Sequence, residues 1–173
     1  ALQRQNKVDE VMGVFPSDHW IEQEEEFANC IRLAEDCAQD GQVVTIGIKP
    51  HYPATGFGYI ECEKKIFAEQ SELKAFQVKG FKEKPNESLA KKYLDEGNYF
   101  WNSGMFVFSV GTMIEAFEKH MPEMWGTLDS LSTDLSNIVE VYEKLPSQSI
   151  DYGIMENISN QVNIPCDIGW SDL

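Results

Sequence analysis

The segment from Val11 to Ile48 constrains the fold most. Val11 to Phe15 is a short apolar run stopped by Pro16, and it reads as a short buried strand. From Glu24 to Gln39, Phe27, Cys30, Ile31, Ala34, Cys37 and Ala38 recur on one helical face, with acidic residues in the first turn and Gly41 just past the end. Val43 to Ile48 is again apolar. A strand, a helix and a strand at this spacing predict a βαβ unit with a parallel, right-handed crossover. Such a unit commits the chain to a sheet with helices packed on it.

The remaining periodicities extend that plan. Lys49 to Gly58 carries two prolines and two glycines and reads as a loop feeding a strand from Phe57 to Cys62. Ala75 to Lys84 reads as a strand ended by Pro85, and Asn86 is placed to cap a helix from Glu87 to Glu96 that stops at Gly97. Met105 to Phe108 is apolar on both faces and predicts a central strand. Thr112 to Met121 and Asp134 to Leu145 predict two further helices, the second with Leu135, Ile138, Val139 and Tyr142 inward. Gln161 to Ile164 predicts a last strand. The expected fold class is α/β: a Rossmann-like three-layer arrangement with a mixed, mostly parallel sheet between helices. Ligands on such sheets sit beyond the carboxyl ends of the strands.

Charge narrows the function. With 14 basic and 29 acidic residues among 173, the net charge is −15, and that field repels a nucleic-acid backbone. It opposes a phosphorylated small substrate equally, so any phosphate site must rely on local lysines or a divalent metal. The four cysteines form no Cys-x-x-Cys pair and read as buried free thiols. His19, His51 and His120 have no ligand spacing. The apolar run Met105 to Val110 is far too short for a bilayer, and the first residues, Ala1 to Gln5, have no apolar core of a signal peptide. A cytoplasmic protein without membrane partners is expected.

Polar clusters fall at the predicted strand ends. Asp18, after the first strand, could bind Mg²⁺, which takes only one or two protein oxygens; taken alone it reads rather as a loop-capping Asp. Asp172 follows the last strand and could reach the same crevice from the opposite edge. Lys82-Glu83-Lys84-Pro85 offers a point charge suited to phosphate and an acceptor for sugar hydroxyls, or simply solvated charge on an edge strand. In a regular strand Glu83 and Lys84 point to opposite faces, so both can touch one ligand only if the chain bends or the strand ends early. Thr55-Gly56-Phe57-Gly58-Tyr59 lets backbone approach a ligand, but no Gly-Lys-Ser/Thr follows and it is no P-loop. Trp101-Asn102-Ser103-Gly104 reads as a loop before the apolar strand. Asp151 serves equally as a site carboxylate or a helix N-cap.

Together and in order, several runs carry a resemblance. They are Phe15-Pro16-Ser17-Asp18-His19, Gly47-Ile48-Lys49-Pro50 with Pro53, Thr55-Gly56-Phe57-Gly58-Tyr59-Ile60 and Glu83-Lys84-Pro85. Trp101-Asn102-Ser103-Gly104-Met105-Phe106, Ser149-Ile150-Asp151-Tyr152 and Gly169-Trp170-Ser171-Asp172 complete the set. This order resembles the mannose-1-phosphate guanylyltransferases within the wider sugar nucleotidyltransferase family. The resemblance implies transfer of GMP from GTP to α-D-mannose 1-phosphate, giving GDP-mannose and pyrophosphate, with Mg²⁺ or another divalent cation as cofactor.

Residue by residue, it implies that Asp18 and Asp172 form the metal pair and, with Lys84, the catalytic group. Glu83 would hold sugar hydroxyls and Lys84 the sugar phosphate, while Gly58, Tyr59, Asn102 and Asp151 would contact the sugar. A homo-oligomer is left open. The family begins with a Gly-rich loop ending in Thr/Ser-Arg-Leu, and no such run precedes Val11. Residues 1–173 are therefore expected to form part of a nucleotidyltransferase domain, its sugar-phosphate and metal side, inactive alone. Two rival readings stand beside this one: a non-catalytic sugar-phosphate-binding or regulatory module, and a nucleotidyltransferase for another sugar, such as glucose 1-phosphate.

Overall fold

A computed structural model describes residues 2–172; Ala1 and Leu173, the ends of the expected domain, lie outside the described residues. Six strands make the main sheet: β1 (Val11–Val14), β3 (Val43–Ile48), β4 (Tyr59–Gln70), β5 (Leu73–Lys82), β6 (Tyr99–Ser109) and β7 (Gln161–Cys166). Two shorter strands, β2 (His19–Trp20) and β8 (Ser171–Asp172), pair apart from it. The helices are α1 (Glu24–Gln39), α2 (Glu87–Glu96), α3 (Val110–His120), α4 (Pro122–Asp129) and α5 (Ile138–Tyr142). A π-helical turn covers Asp151–Met155. No helix among the described residues is long and apolar enough to cross a membrane.

The sheet runs β1-β6-β3-β7-β5-β4, and β4 also pairs with the start of β6. The expectation of a mixed α/β sheet between helices holds, with one correction: among the described residues the one parallel ladder is β3–β7, and the others are antiparallel. The predicted βαβ crossover from β1 to β3 does join strands running the same way, but β6 lies between them, antiparallel to both. Short-range periodicity fixes strand and helix, and cannot see a strand inserted from far along the chain. β1 is also not buried. It lies at the sheet edge, and Met12, Val14 and Phe15 are exposed.

Side-chain alternation splits the core across the sheet. Val44, Ile46, Ile48, Met105 and Val107 pack with Cys30, Leu33, Ala34, Cys37 and Ala38 of α1. Val43, Phe106 and Phe108 pack with Met113, Ala116 and Met121 at α3 and with Ile154 and Met155 of the π-turn. Two helical layers thus cover opposite faces of one sheet.

α2 has the bounds that the sequence predicts, because both ends are encoded locally. Asn86 accepts a bond from Leu89 N at 3.0 Å, and Gly97 takes the left-handed conformation at φ 73°. The helix predicted over Asp134 to Leu145 shrinks to Ile138–Tyr142. Its supposed inward residues, Leu135, Ile138, Val139 and Tyr142, are exposed, whereas Val141 is buried. α4 lies where the sequence reading had no element.

Candidate functional site

The site gathers where β3 ends, β4 begins, β5 ends and β6 bends. Ile48, Trp101 and Tyr59 are register partners in neighbouring ladders, and Cys166 at the end of β7 pairs with Ile48. Trp101 to Gly104 is therefore strand and not the predicted loop. The β3–β6 register is irregular here: Thr45 faces Phe106, but two residues on Gly47 faces Asn102. Extra residues in one strand form a bulge, which re-aims side chains and is common beside active sites. Gly104 carries the bend at φ 71°, a conformation costly for a side-chain-bearing residue.

That bulge places Asn102 at the centre of a cluster. Its Nδ2 donates to Asp151 Oδ1 at 3.0 Å, its Oδ1 accepts from Gly104 N at 3.1 Å, and its backbone N donates to Gly58 O at 2.8 Å. One amide hydrogen and part of the amide oxygen's accepting capacity stay available to a ligand. Asp151 opens the π-helical turn, which has no side-chain cap. Its carboxylate bonds Asn102 instead, so the capping reading does not hold. A Cβ placed on Gly58 would lie 2.7 Å from Glu83 Oε2 and 3.6 Å from Asn102 Cβ. Glycine is required there for the carboxylate to approach the backbone.

Glu83 and Lys84 meet in a way that strand alternation forbids. β5 ends at Lys82, and Lys84 adopts a positive φ of 38°. This turn brings Lys84 Nζ to 3.4 Å from Glu83 Oε1. Both heads therefore face one region, as one ligand contacting both would need. Gly58, Glu83, Lys84, Asn102 and Asp151 converge.

Tyr59 does not join them. Its ring is fully buried and packs against Tyr93, and its hydroxyl donates to Ala54 O at 2.8 Å. Burial, ahead of the bonds it makes, pushes the phenol above its ordinary value. Tyr59 holds the loop 54–58 in place, and its side chain is scaffold rather than a ligand contact.

Asp18 precedes, and Asp172 belongs to, the small β2–β8 ribbon. His19 is the register partner of Asp172, so Asp18 lies one residue from the position opposite Asp172. Both aspartates are exposed. The ribbon is tied back to the cluster on both sides. Pro16 is the neighbour that a Cβ on Gly104 would meet, at 3.6 Å. Trp170 packs on Phe57 and Trp101 with ring centroids 5.5 and 6.4 Å away. Ile168 O accepts from both Glu22 N and Gln23 N, joining the tail to the start of α1.

Two neighbouring carboxylates suit Mg²⁺, which keeps its remaining positions for water and phosphate oxygens. No group of three His, Cys, Asp or Glu suited to a metal occurs among the described residues, so a cage built from protein ligands alone is not what this arrangement offers. His19 and Trp170 carried no role in the sequence reading. Their positions, directly after Asp18 and two residues before Asp172, were the signal for them.

Two exposed carboxylates thus lie at a ribbon beside a cluster of amide, carboxylate and lysine, on a mixed sheet between helices. The nucleotidyl transferase family model matches residues 1–173, and the chain belongs to that family. It is 37% identical over 172 residues to mannose-1-phosphate guanylyltransferase of Escherichia coli strain K12, covering 95% of this chain and 36% of that one. Against the same enzyme of Salmonella montevideo the identity is 38% over 175 residues, covering 96% and 37%. The chain thus spans little more than a third of the length of these relatives. Among solved structures it is similar to mannose-1-phosphate geranyltransferase from Thermus thermophilus, with TM-score 0.82 and 30% identity, covering 99% of this chain and 48% of that one.

Proposed function

We propose that the protein carrying this chain is a cytoplasmic enzyme that transfers GMP from GTP to α-D-mannose 1-phosphate. The observation that carries the reading is the convergence of Gly58, Glu83, Lys84, Asn102 and Asp151 on one region, with the Asp18–Asp172 ribbon packed beside it. Names of the relatives supply the sugar and the base. In the reaction an oxygen of the sugar phosphate attacks the α-phosphorus of GTP. The new P–O bond makes GDP-mannose, and the bond to the β-phosphate breaks to release pyrophosphate.

Each residue has a physical task. Glu83 and Asp151 accept hydrogen bonds from sugar hydroxyls, while the free hydrogen of the Asn102 amide donates to one. Gly58 leaves the room in which Glu83 and the sugar ring lie against backbone. Lys84 offers the phosphate its local cation against a chain charge of −15. Two anions must still meet, and like unit charges about 4 Å apart repel by roughly 4 kcal/mol at an effective dielectric near 20. Asp18 and Asp172 would hold Mg²⁺, which supplies neutralisation and a fixed line of approach. A phosphate monoester is already a nucleophile near neutral pH, so the absence of a catalytic His or Cys among the clustered residues fits.

The test is pyrophosphate release by the full protein with each of the common nucleoside triphosphates, paired in turn with mannose 1-phosphate and glucose 1-phosphate. Release confined to GTP with mannose 1-phosphate is the expected outcome. Preference for glucose 1-phosphate would transfer the site to another sugar. Binding of mannose 1-phosphate without turnover with any triphosphate would make this a binding module.

A further inference from the structure

The β2–β8 ribbon is two residues long on each side, and Trp20, Ser171 and Asp172 are exposed. Isolated two-stranded ribbons of any length are marginal in water. Register matters more here than stability. Side chains directly opposite in an antiparallel pair emerge on one face, and a slip of one residue turns every side chain of the strand to the other. Asp172 shares its face with its partner His19 and, by alternation, with Trp170. A slipped β8 would aim the Asp172 carboxylate away from that face.

One side-chain bond marks the native register. Trp170 Nε1 donates to His19 Nδ1 at 3.1 Å, and the rings meet edge to face with centroids 5.2 Å apart. Trp170 is itself wedged against Phe57 and Trp101, so the bond fixes the ribbon against a buried aromatic cluster next to Gly58. A slip would carry the indole past His19 and break the bond.

We propose that His19 is a positioning residue: by accepting the Trp170 indole hydrogen it locks the β2–β8 register and thereby fixes the face of the ribbon from which the Asp172 carboxylate projects. This rests on the reading of Asp18 and Asp172 as the metal pair. Neither His19 nor Trp170 touches substrate in this scheme. They act through the carboxylates.

The experiment measures Mn²⁺ affinity of the full protein by the electron paramagnetic resonance signal of free Mn²⁺, with steady-state kinetics alongside. Trp170→Phe keeps an aromatic ring for packing and removes the donor; His19→Phe removes the acceptor; His19→Asn offers an oxygen close to where Nδ1 lies. Loss of one net hydrogen bond corresponds to about a fivefold change. We expect each phenylalanine variant to bind Mn²⁺ about fivefold more weakly and to lose kcat, with KM for mannose 1-phosphate little changed. The double variant should be no worse than either single one, and His19→Asn should recover most of the affinity. If His19→Phe fails to fold, Trp170→Phe with its thermal melt carries the test.

Asp172→Asn separates the two claims. Should it abolish Mn²⁺ binding while Trp170→Phe and His19→Phe bind as the native protein does, the register lock is wrong and the metal pair stands. Losses that multiply in the double variant would likewise overturn the lock. Should Asp172→Asn bind Mn²⁺ undiminished, the metal pair falls and the lock with it.

Discussion

The Cβ that Gly58 lacks would sit 2.7 Å from Oε2 of Glu83. The backbone there needs no left-handed conformation, and the obstacle is the free end of a side chain. Gly58→Ala should therefore fold, with a melting temperature within about 4 °C of the native protein. Glu83 must swing aside to admit the methyl group, and in doing so it leaves the proposed sugar site. We expect KM for mannose 1-phosphate to rise about tenfold or more while KM for GTP holds. An unchanged sugar KM would separate Glu83 from sugar binding.

Lys84 joins a functional head to a strained backbone, and two substitutions distinguish them. Lys84→Gly and Lys84→Ala both remove the ammonium, a charge-assisted contact whose loss should raise the sugar-phosphate KM about ten- to hundredfold. Only glycine relieves the positive φ of 38°. The glycine variant should melt about 2–4 °C above the alanine variant. Equal melting temperatures would show that the bend at Lys84 carries no strain, and equal losses for GTP and sugar phosphate would remove Lys84 from the site.

The reach of sequence reasoning differs between these two residues and the elements around them. Both were legible as members of ordered motifs, and α2 was legible to the residue because Asn86 and Gly97 encode its ends within one turn. What joins the motifs was not. Asn102 and Asp151 bond across 49 positions, and Asp172 comes opposite His19, the residue after Asp18, only because β2 pairs with β8. Ladders between distant segments leave no local period. Local periodicity also misleads where nothing covers it: Val139 and Tyr142 recur at helical spacing and yet face solvent. Trp101 to Gly104 read as loop because Asn, Ser and Gly favour turns, and the bulge that they form sits inside a strand held by Trp101 and Met105.

An ion pair between the buried Glu61 and the exposed Lys79 gives a pH dependence. Burial would raise the Glu61 carboxyl, but Lys79 Nζ at 2.6 Å outweighs it and holds the group below its ordinary value of 4.5. A carboxyl lowered by folding adds stability that is complete above its unfolded value and is lost as pH falls through its folded one. Glu61→Gln should lower the melting temperature by about 2–4 °C at pH 7. The difference from the native protein should shrink steadily below about pH 4.5. A gap that stays constant down to about pH 3 would show that the charge contributes nothing.

The thiols should be silent. Cys30, Cys37, Cys62 and Cys166 are free and buried. Burial, reinforced by nearby carboxylates, pushes Cys37 up to about 11; burial, with Glu61 adding to it, pushes Cys62 up to about 12. The Cys166 thiol donates to Gly47 O at 3.7 Å; its neighbourhood with Cys30 lowers Cys30 and raises Cys166 itself. A thiol-specific disulfide reagent at about pH 8 should label none of the four within minutes in the native protein and all four after denaturation. Rapid labelling of one would show that an opening of the fold exposes it.

β6 takes part in three ladders, with β1, β3 and β4. Its bulge at residues 102–104 is thereby braced from both sides, by β4 up to Trp101 and by β1 and β3 from Phe106 onward. The side that carries Asp18 and Asp172 hangs from a ribbon two residues long. The two halves of the site therefore differ in compliance: the wall that holds Asn102 is rigid, and any adjustment that two phosphates would demand in the proposed reaction falls to the softer ribbon opposite.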